Sequence, residues 1–225
     1  MVFIVLEPDR SIHAPSKPRL RGVLHHYAFF VSLVTGAVLL AFAPDRRALV
    51  AAGVYGVSLS ALLGVSALYH RPTWSVPARR WMGRLDHSMI SVLIAGTYTP
   101  FGMLAISGTF AALLLGVIWG GALASIVLHV VWIDLPKWLS ASLYVVLGWV
   151  GIAAMPDLVD HAGWTVTALL ASGGILYSVG ALVYALRRPD PVPAVFGYHE
   201  VFHALVLAAA TAHYAAVALT VLPAG

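Results

Sequence analysis

The chain has 225 residues, of which 60% are hydrophobic and only 10% are charged, and its formal net charge is +4. In an average soluble domain about a quarter of the residues are charged, so a mean hydropathy of +0.89 excludes that class and indicates an integral membrane protein. The absence of cysteine excludes disulfides, thiolate ligands and a cysteine nucleophile, so a metal ion would have to be held by histidine, carboxylate or water.

The first 22 residues are predicted to form a polar, irregular cytoplasmic tail. Met1–Leu6 is apolar but too short for the core of a signal peptide, and Glu7-Pro8-Asp9-Arg10 follows it directly, so we expect no cleaved leader. Residues 23–225 are predicted to form one transmembrane domain.

Seven apolar runs follow the tail, each close to the roughly 20 residues that a helix needs to cross a bilayer. They cover residues 23–43, 48–69, 86–106, 109–132, 138–155, 163–185 and 199–222. We therefore predict an all-α, polytopic protein with seven transmembrane helices and short loops, and we expect a loop at 155–162 on the side opposite the tail.

Basic residues are concentrated on one side of these runs. The tail and the loops on its side carry Arg10, Lys17, Arg19, Arg21, Arg71, Arg79, Arg80, Arg84, Lys137, Arg187 and Arg188, whereas the other side has only Arg46 and Arg47. Because cytoplasmic loops carry the excess of lysine and arginine, we predict an internal amino terminus and an external carboxyl terminus. This orientation excludes a G-protein-coupled receptor, and the absence of lysine from the last run excludes a retinal protein.

Four candidate metal ligands lie near the inner ends of three runs. His70 closes the second run, Asp86 opens the third, and His199 and His203 open the seventh. Residues four apart share a face of a helix, so His199 and His203 point the same way and Ser66 lies one turn deeper than His70. Ionisable groups are costly in a membrane and tend to mark a functional site.

Three histidines with a water and a nearby carboxylate are typical of a catalytic zinc site. We predict that His70, His199 and His203 bind Zn²⁺ and that Asp86 is the nearby carboxylate. Zinc would activate that water and polarise a carbonyl, and Asp86 could accept the proton.

His199-Glu200-Val201-Phe202-His203 also fits the H-E-x-x-H pattern, in which the glutamate is the general base of a zinc protease. Intramembrane metalloproteases carry this motif early and an aspartate ligand late, which is the reverse of the order in this chain. The alternative role for Glu200 is a carboxylate at a helix start, near Arg187 and Arg188.

The remaining histidines are expected to have other roles. His213 is ten residues past His203, about 15 Å further along a helix, and should hydrogen-bond inside the bundle. His25 and His26 follow the basic tail and are expected to face solvent or lipid headgroups. Packing or hydrogen-bonding roles are expected for His129 and His161, and His87 is expected to face a neighbouring helix or the membrane interface.

Three separated motifs resemble the hemolysin III family, the bacterial branch of the progestin and adipoQ receptor superfamily, which includes the adiponectin receptors and is related to the alkaline ceramidases. The motifs are Ser66-Ala67-Leu68-Tyr69-His70, then Arg84-Leu85-Asp86-His87-Ser88 with Ala95-Gly96-Thr97-Tyr98-Thr99-Pro100, and finally His199-Glu200-Val201-Phe202-His203 with Ala212-His213-Tyr214.

The resemblance implies seven helices in the inner membrane of a bacterium, an internal amino terminus and a zinc ion near the cytoplasmic side. It implies that His70, His199 and His203 are the zinc ligands, that Asp86 holds the zinc water, and that Ser66 supplies a neighbouring hydroxyl. The tail of about twenty residues is shorter than in the receptor branch, so no soluble hormone partner is expected.

The leading hypothesis is a zinc-dependent hydrolase that cleaves an amide or ester bond of a membrane lipid, with Asp86 and Ser66 as catalytic residues. A non-enzymatic sensor or scaffold with structural zinc and a cytolytic or channel-like protein remain as alternatives. Membrane lipids are the expected partners, nucleic acid is not expected, and a homo-oligomer is left open.

Overall fold

The computed structural model describes residues 17–132 and 135–222, which are helical throughout apart from turns and one isolated bridge between Val192 and Phe196. Seven α-helices lie within these ranges: α1 (Val23–Ala41), α2 (Arg46–His70), α3 (Val76–Leu104), α4 (Gly108–Val131), α5 (Lys137–Trp149), α6 (Met155–Leu186) and α7 (Tyr198–Val221). A short 3₁₀ helix (Val150–Ala154) joins α5 to α6. The all-α class predicted from the sequence is confirmed.

Five helical segments in the described ranges are long and apolar enough to cross a membrane. They are α1, α2, α4, α7 and the continuous stretch Lys137–Leu186, which includes α5 and α6. The protein is therefore a membrane protein with several spanning segments. The remaining helix, α3, has 29 residues and carries Arg79, Arg80, Arg84 and Asp86 in its first part.

Two boundaries differ from those expected from hydropathy. Helix α3 begins at Val76, about three turns before the apolar run, because arginine favours helix although it lowers hydropathy. The loop expected at 155–162 is instead the first part of α6, so that expectation was wrong. The helix is interrupted at Gly163, which has a φ of 84°, a backbone conformation that residues other than glycine rarely adopt.

The packing order brings the candidate site together. Helix α2 packs against α1 and α3, α3 also contacts α4, and α7 packs mainly against α6 while touching α1, α2 and α3. Contacts between helix ends show that α1, α3, α5 and α7 begin at the end of the bundle where α2, α4 and α6 finish. We call this end the basic end, because it carries Arg21, Arg79 and Lys137.

The segment before α1 is attached to the basic end. The backbone N–H groups of Arg19 and Leu20 donate to the carbonyls of Ala194 and Val195, at 3.0 and 3.1 Å. Gly22 then precedes α1 with a φ of 73°, and a Cβ added to it would lie 2.7 Å from the Cβ of His70. The start of α1 therefore lies directly against the end of α2.

Candidate metal centre

Three imidazoles from two helices meet at the basic end of the bundle. His70 is the last residue of α2, and His199 and His203 occupy the first two turns of α7. One ligand nitrogen of each lies within 4.8 Å of the other two, with His70 and His203 buried and His199 partly buried. The structure thus brings together the three histidines that the sequence singled out, although His70 and His199 are 129 residues apart.

The separation of two of these nitrogens fits a shared metal ion. The Nε2 atoms of His70 and His199 are 3.1 Å apart. Tetrahedral Zn²⁺ with bonds of about 2.0–2.1 Å would hold two nitrogens about 3.3 Å apart. Without a cation, the two lone pairs would repel each other unless one of the two nitrogens carried a hydrogen. A bound cation accepts both lone pairs instead. The set of nitrogen donors is therefore suited to a borderline-soft ion such as Zn²⁺.

Asp86 lies beside the cluster but outside the mutually close group of three. Its Oδ2 is 3.9 Å from the Nε2 of His70, which is longer than a hydrogen bond. The carboxylate lines the same cavity as the side chain of Ser66, which lies one turn before His70 on α2. This position gives Asp86 access to the space next to the histidines without making it a fourth close ligand.

A fourth histidine, His25 of α1, is buried against the three-histidine cluster. Its ring stacks on His203 with centroids 3.8 Å apart and an interplanar angle of 9°. Its Nδ1 is 2.8 Å from the Oγ of Ser66. The expectation that His25 faces solvent or headgroups was wrong, because only 3% of it is exposed, whereas its neighbour His26 is exposed.

Nothing local in the sequence distinguishes His25 from His26. Consecutive helical residues point about 100° apart, so the side of α1 that packs on α2 and α7 decides which one is buried. The Nε2 of His25 has no hydrogen-bond partner within the described ranges, and the ring lines the same cavity as the cluster.

Glu200 lies between the two α7 histidines in sequence but points away from them. Its carboxylate accepts hydrogen bonds from the Nε of Arg21 and from the backbone N–H of Gly197, the latter at 2.9 Å. Only 1% of the residue is exposed. The expected role of this carboxylate at the helix start is confirmed. Its basic partner is Arg21, in the segment before α1, and the structure records no hydrogen bond or ion pair between Glu200 and Arg187 or Arg188.

His213, His129 and His87 hydrogen-bond or pack inside the bundle as expected. His161 is exposed, and its Nδ1 lies 2.9 Å from the carbonyl oxygen of Asp157 in the same helix. His213 Nε2 lies 3.1 Å from the carbonyl oxygen of Leu170. His129 Nδ1 lies 2.7 Å from the carbonyl oxygen of Ser125, and its ring stacks against His87 with centroids 5.7 Å apart. The His213 contact joins α7 to α6 and the His129–His87 stack joins α4 to α3, and the three-histidine cluster remains a separate group.

A cavity of about 430 Å³ extends from the cluster into the bundle. Near the basic end it is lined by the histidines, Ser66 and Asp86, and further along by apolar side chains such as Ile94, Phe101 and Leu158. This volume is within the range of cavities that hold small ligands. A polar reactive end joined to an apolar body is suited to an amphiphile with an acyl chain.

Similarity to known proteins covers nearly the whole chain. Residues 13–214 match the profile of the family described as "Haemolysin-III related". The "Hemolysin-3" of Bacillus cereus is 34% identical over 205 residues, which are 90% of each protein, and the "Hemolysin-3 homolog" of Bacillus subtilis (strain 168) is 32% identical over 196 residues, 86% of this chain and 89% of that protein. The "Adiponectin receptor protein" of Drosophila melanogaster is 28% identical over 184 residues, 72% of this chain and 40% of that protein.

Proposed function

This chain belongs to the haemolysin-III-related family, and from that starting point we propose that it is a zinc-dependent hydrolase that cleaves an amide or ester bond of a membrane lipid at the inner leaflet. The observation that carries the proposal is the placement of three histidines, a carboxylate and a serine at the polar end of an apolar cavity. Seven membrane spans with an internal amino terminus, in a bacterial inner membrane, belong to the same proposal. The excess of lysine and arginine at the basic end supports that orientation.

The side chains around the cluster divide the chemistry among them. A zinc ion held by His70, His199 and His203 would supply Lewis acidity toward a carbonyl oxygen and toward water. Asp86 accepts a proton from the attacking water and returns it to the leaving amine or alkoxide. The apolar part of the cavity holds the acyl chain and keeps bulk water away.

Ser66 stabilises the negative charge that develops on the carbonyl oxygen. When His25 carries its hydrogen on Nδ1, it donates to the Oγ of Ser66 across 2.8 Å, and the serine hydroxyl keeps its own hydrogen to donate. A positioned donor of this kind contributes about 3 kcal/mol of transition-state stabilisation in other hydrolases.

The direct test measures fatty-acid release from a panel of amide and ester lipids. Asp86→Ala should retain zinc and lose turnover, while Asp160→Ala, which removes an exposed carboxylate at the opposite end, should change neither. A zinc-loaded wild-type protein that releases nothing from any lipid of the panel would reject the hydrolase proposal.

A scaffold with structural zinc is the second candidate, because the histidine cluster connects the end of α2 to the start of α7. It predicts that chelation lowers the melting temperature while no lipid is cleaved.

The names of the two Bacillus relatives refer to haemolysis, and leakage of dye from liposomes that contain the purified protein would test a cytolytic activity.

A further inference from the structure

Basic side chains line the mouth of the cavity beside the histidine cluster. Arg21, Arg79 and Lys137 all contribute to its wall, and Asp86 is the one acidic residue among the described residues that line it. Arg21 pairs with Glu200, but Arg79 and Lys137 form no ion pair within the described ranges. The mouth therefore carries an excess of positive charge.

Arg79 is held next to the cluster on the α2 side. Its Cζ lies 5.3 Å from the ring centroid of Tyr69, in the range of a cation–π contact. The Tyr69 ring lies 4.6 Å from the ring of His70. The tyrosine thus places the guanidinium one aromatic ring away from a candidate metal ligand.

Lys137 has the equivalent position on the side of α6 and α7. Its Nζ lies 5.0 Å from the ring centroid of Tyr184 and 5.9 Å from that of Tyr198. The Tyr184 ring is in turn 5.8 Å from the ring of His199. The Arg79 and Lys137 cations are therefore held by tyrosine rings that contact two different histidines of the cluster.

The positive charges at this end are close enough to affect one another. Partial desolvation, followed by the nearby charges of Arg71, Arg79 and Arg21, lowers the pKa of the Lys17 ammonium. An anion at the mouth would be attracted by these groups. Basic residues that only orient the protein in the membrane have no need to line a cavity. Arg79 lines the cavity, whereas its exposed neighbour Arg80 does not.

We propose that the mouth of the cavity binds the anionic headgroup, a phosphate or a carboxylate, of a membrane lipid whose acyl chain enters the apolar part. Arg79 and Lys137 contact the headgroup from two sides, and the bond to be cleaved lies at the histidine cluster. This inference names a substrate class for the proposed function and rests on it for hydrolysis, but headgroup binding is measurable without turnover.

The test uses ether-linked lipids, which have no carboxylic ester to cleave. Binding of phosphatidylglycerol, phosphatidylcholine and diacylglycerol analogues with identical chains is measured on the zinc-loaded protein in detergent. The wild type should bind the anionic lipid at least about tenfold more tightly than the other two, since charge-assisted hydrogen bonds to a phosphate are strong and the choline cation of phosphatidylcholine, which two basic side chains would repel, cancels the charge of its phosphate. Each of Arg79→Gln and Lys137→Gln should reduce that preference several-fold while leaving diacylglycerol binding, zinc content and melting temperature unchanged.

Arg80→Gln is the matched control, because it removes the same charge from the next residue of α3. Equal affinity for anionic and neutral lipids, or equal losses in Arg79→Gln and Arg80→Gln, would overturn the proposal. Inorganic phosphate should displace the lipid only at far higher concentration. If phosphate alone bound as tightly as the lipid, the site would be one for free phosphate instead. A lack of hydrolysis in the separate turnover assay would leave these binding results standing.

Discussion

His25 and His203 stack face to face, with ring centroids 3.8 Å apart, although they belong to the first and last helices of the bundle. The same His25 ring reaches Ser66 of α2 through Nδ1. One imidazole outside the three-histidine cluster therefore supports both a candidate metal ligand and the candidate oxyanion donor.

Replacing His25 should weaken metal binding without removing a ligand. Loss of groups that orient metal-binding histidines typically costs 10–100-fold in affinity, and we expect His25→Ala to fall near the lower end, at about tenfold. His25→Phe keeps a flat ring against His203 and should recover most of the affinity while still lacking the contact to Ser66. Competition with a chromophoric zinc chelator measures the change. His26→Ala is the control, and equal effects of the two alanine variants would remove His25 from the site.

The double substitution His199→Ala/His203→Ala should abolish metal binding, because it leaves only one histidine of the cluster. Elemental analysis of protein prepared without chelators should find zinc in the wild type and none in this variant. His213→Ala, on the same helix and bonded to the Leu170 carbonyl, should keep its zinc. At a free zinc concentration of 100 times Kd, the ion should stabilise the wild type by about 2.7 kcal/mol, which a chelator would remove. Absence of zinc from the wild type would reject the site.

Glu200→Gln should lower stability and preserve the metal. The amide oxygen can still accept from the Gly197 N–H, but the charge that pairs with Arg21 is lost. Hydrogen bonds to charged groups contribute about 1.5–3 kcal/mol, so we expect a loss of that order in thermal or denaturant unfolding. In a cycle with Arg21→Gln, the double variant should lose less than the sum of the single losses. A Glu200→Gln protein with unchanged stability and no turnover would instead support the general base of a zinc protease.

Gly22→Ala should disturb the start of α1 and with it the end of α2. Left-handed backbone costs about 1–2 kcal/mol for a residue with a side chain. The new Cβ would also meet the Cβ of His70 at 2.7 Å, so both melting temperature and zinc affinity should fall. Gly116→Ala is the control, because that helical glycine has open space around it. Unchanged zinc affinity in Gly22→Ala would show that His70 does not depend on this contact.

Local sequence patterns were sufficient to group candidate site residues that lie on the same helix. The four-residue spacing of Ser66 with His70 and of His199 with His203 determines that each pair shares a face, whatever surrounds the helix. Hydropathy located most helices to within a few residues, because the apolar length of a span is set by the bilayer. It missed the first turns of α3, because hydropathy measures the free energy of transfer into lipid and does not include the helical preference of arginine.

The charges around Glu200 show the limit of such patterns. Sequence proximity favoured Arg187 and Arg188, but the partner is Arg21, 179 residues away, which the hydrogen bonds of Arg19 and Leu20 to the α6–α7 loop bring to the start of α7. A buried carboxylate needs a partner, and which cation satisfies it depends on how the chain folds back.

The sequence by itself determined that this is an all-helical membrane protein, which residues could hold a metal, and that they lie at the end rich in lysine and arginine. These properties follow from composition, helix periodicity and alternation of direction, all of which are local. Only the tertiary structure decided that His25 is buried against His203, that Glu200 points away from the cluster, and that Arg79 and Lys137 line the cavity mouth. Each of these depends on the rotation of one helix against another, which is set by the packing of many side chains far apart in the sequence.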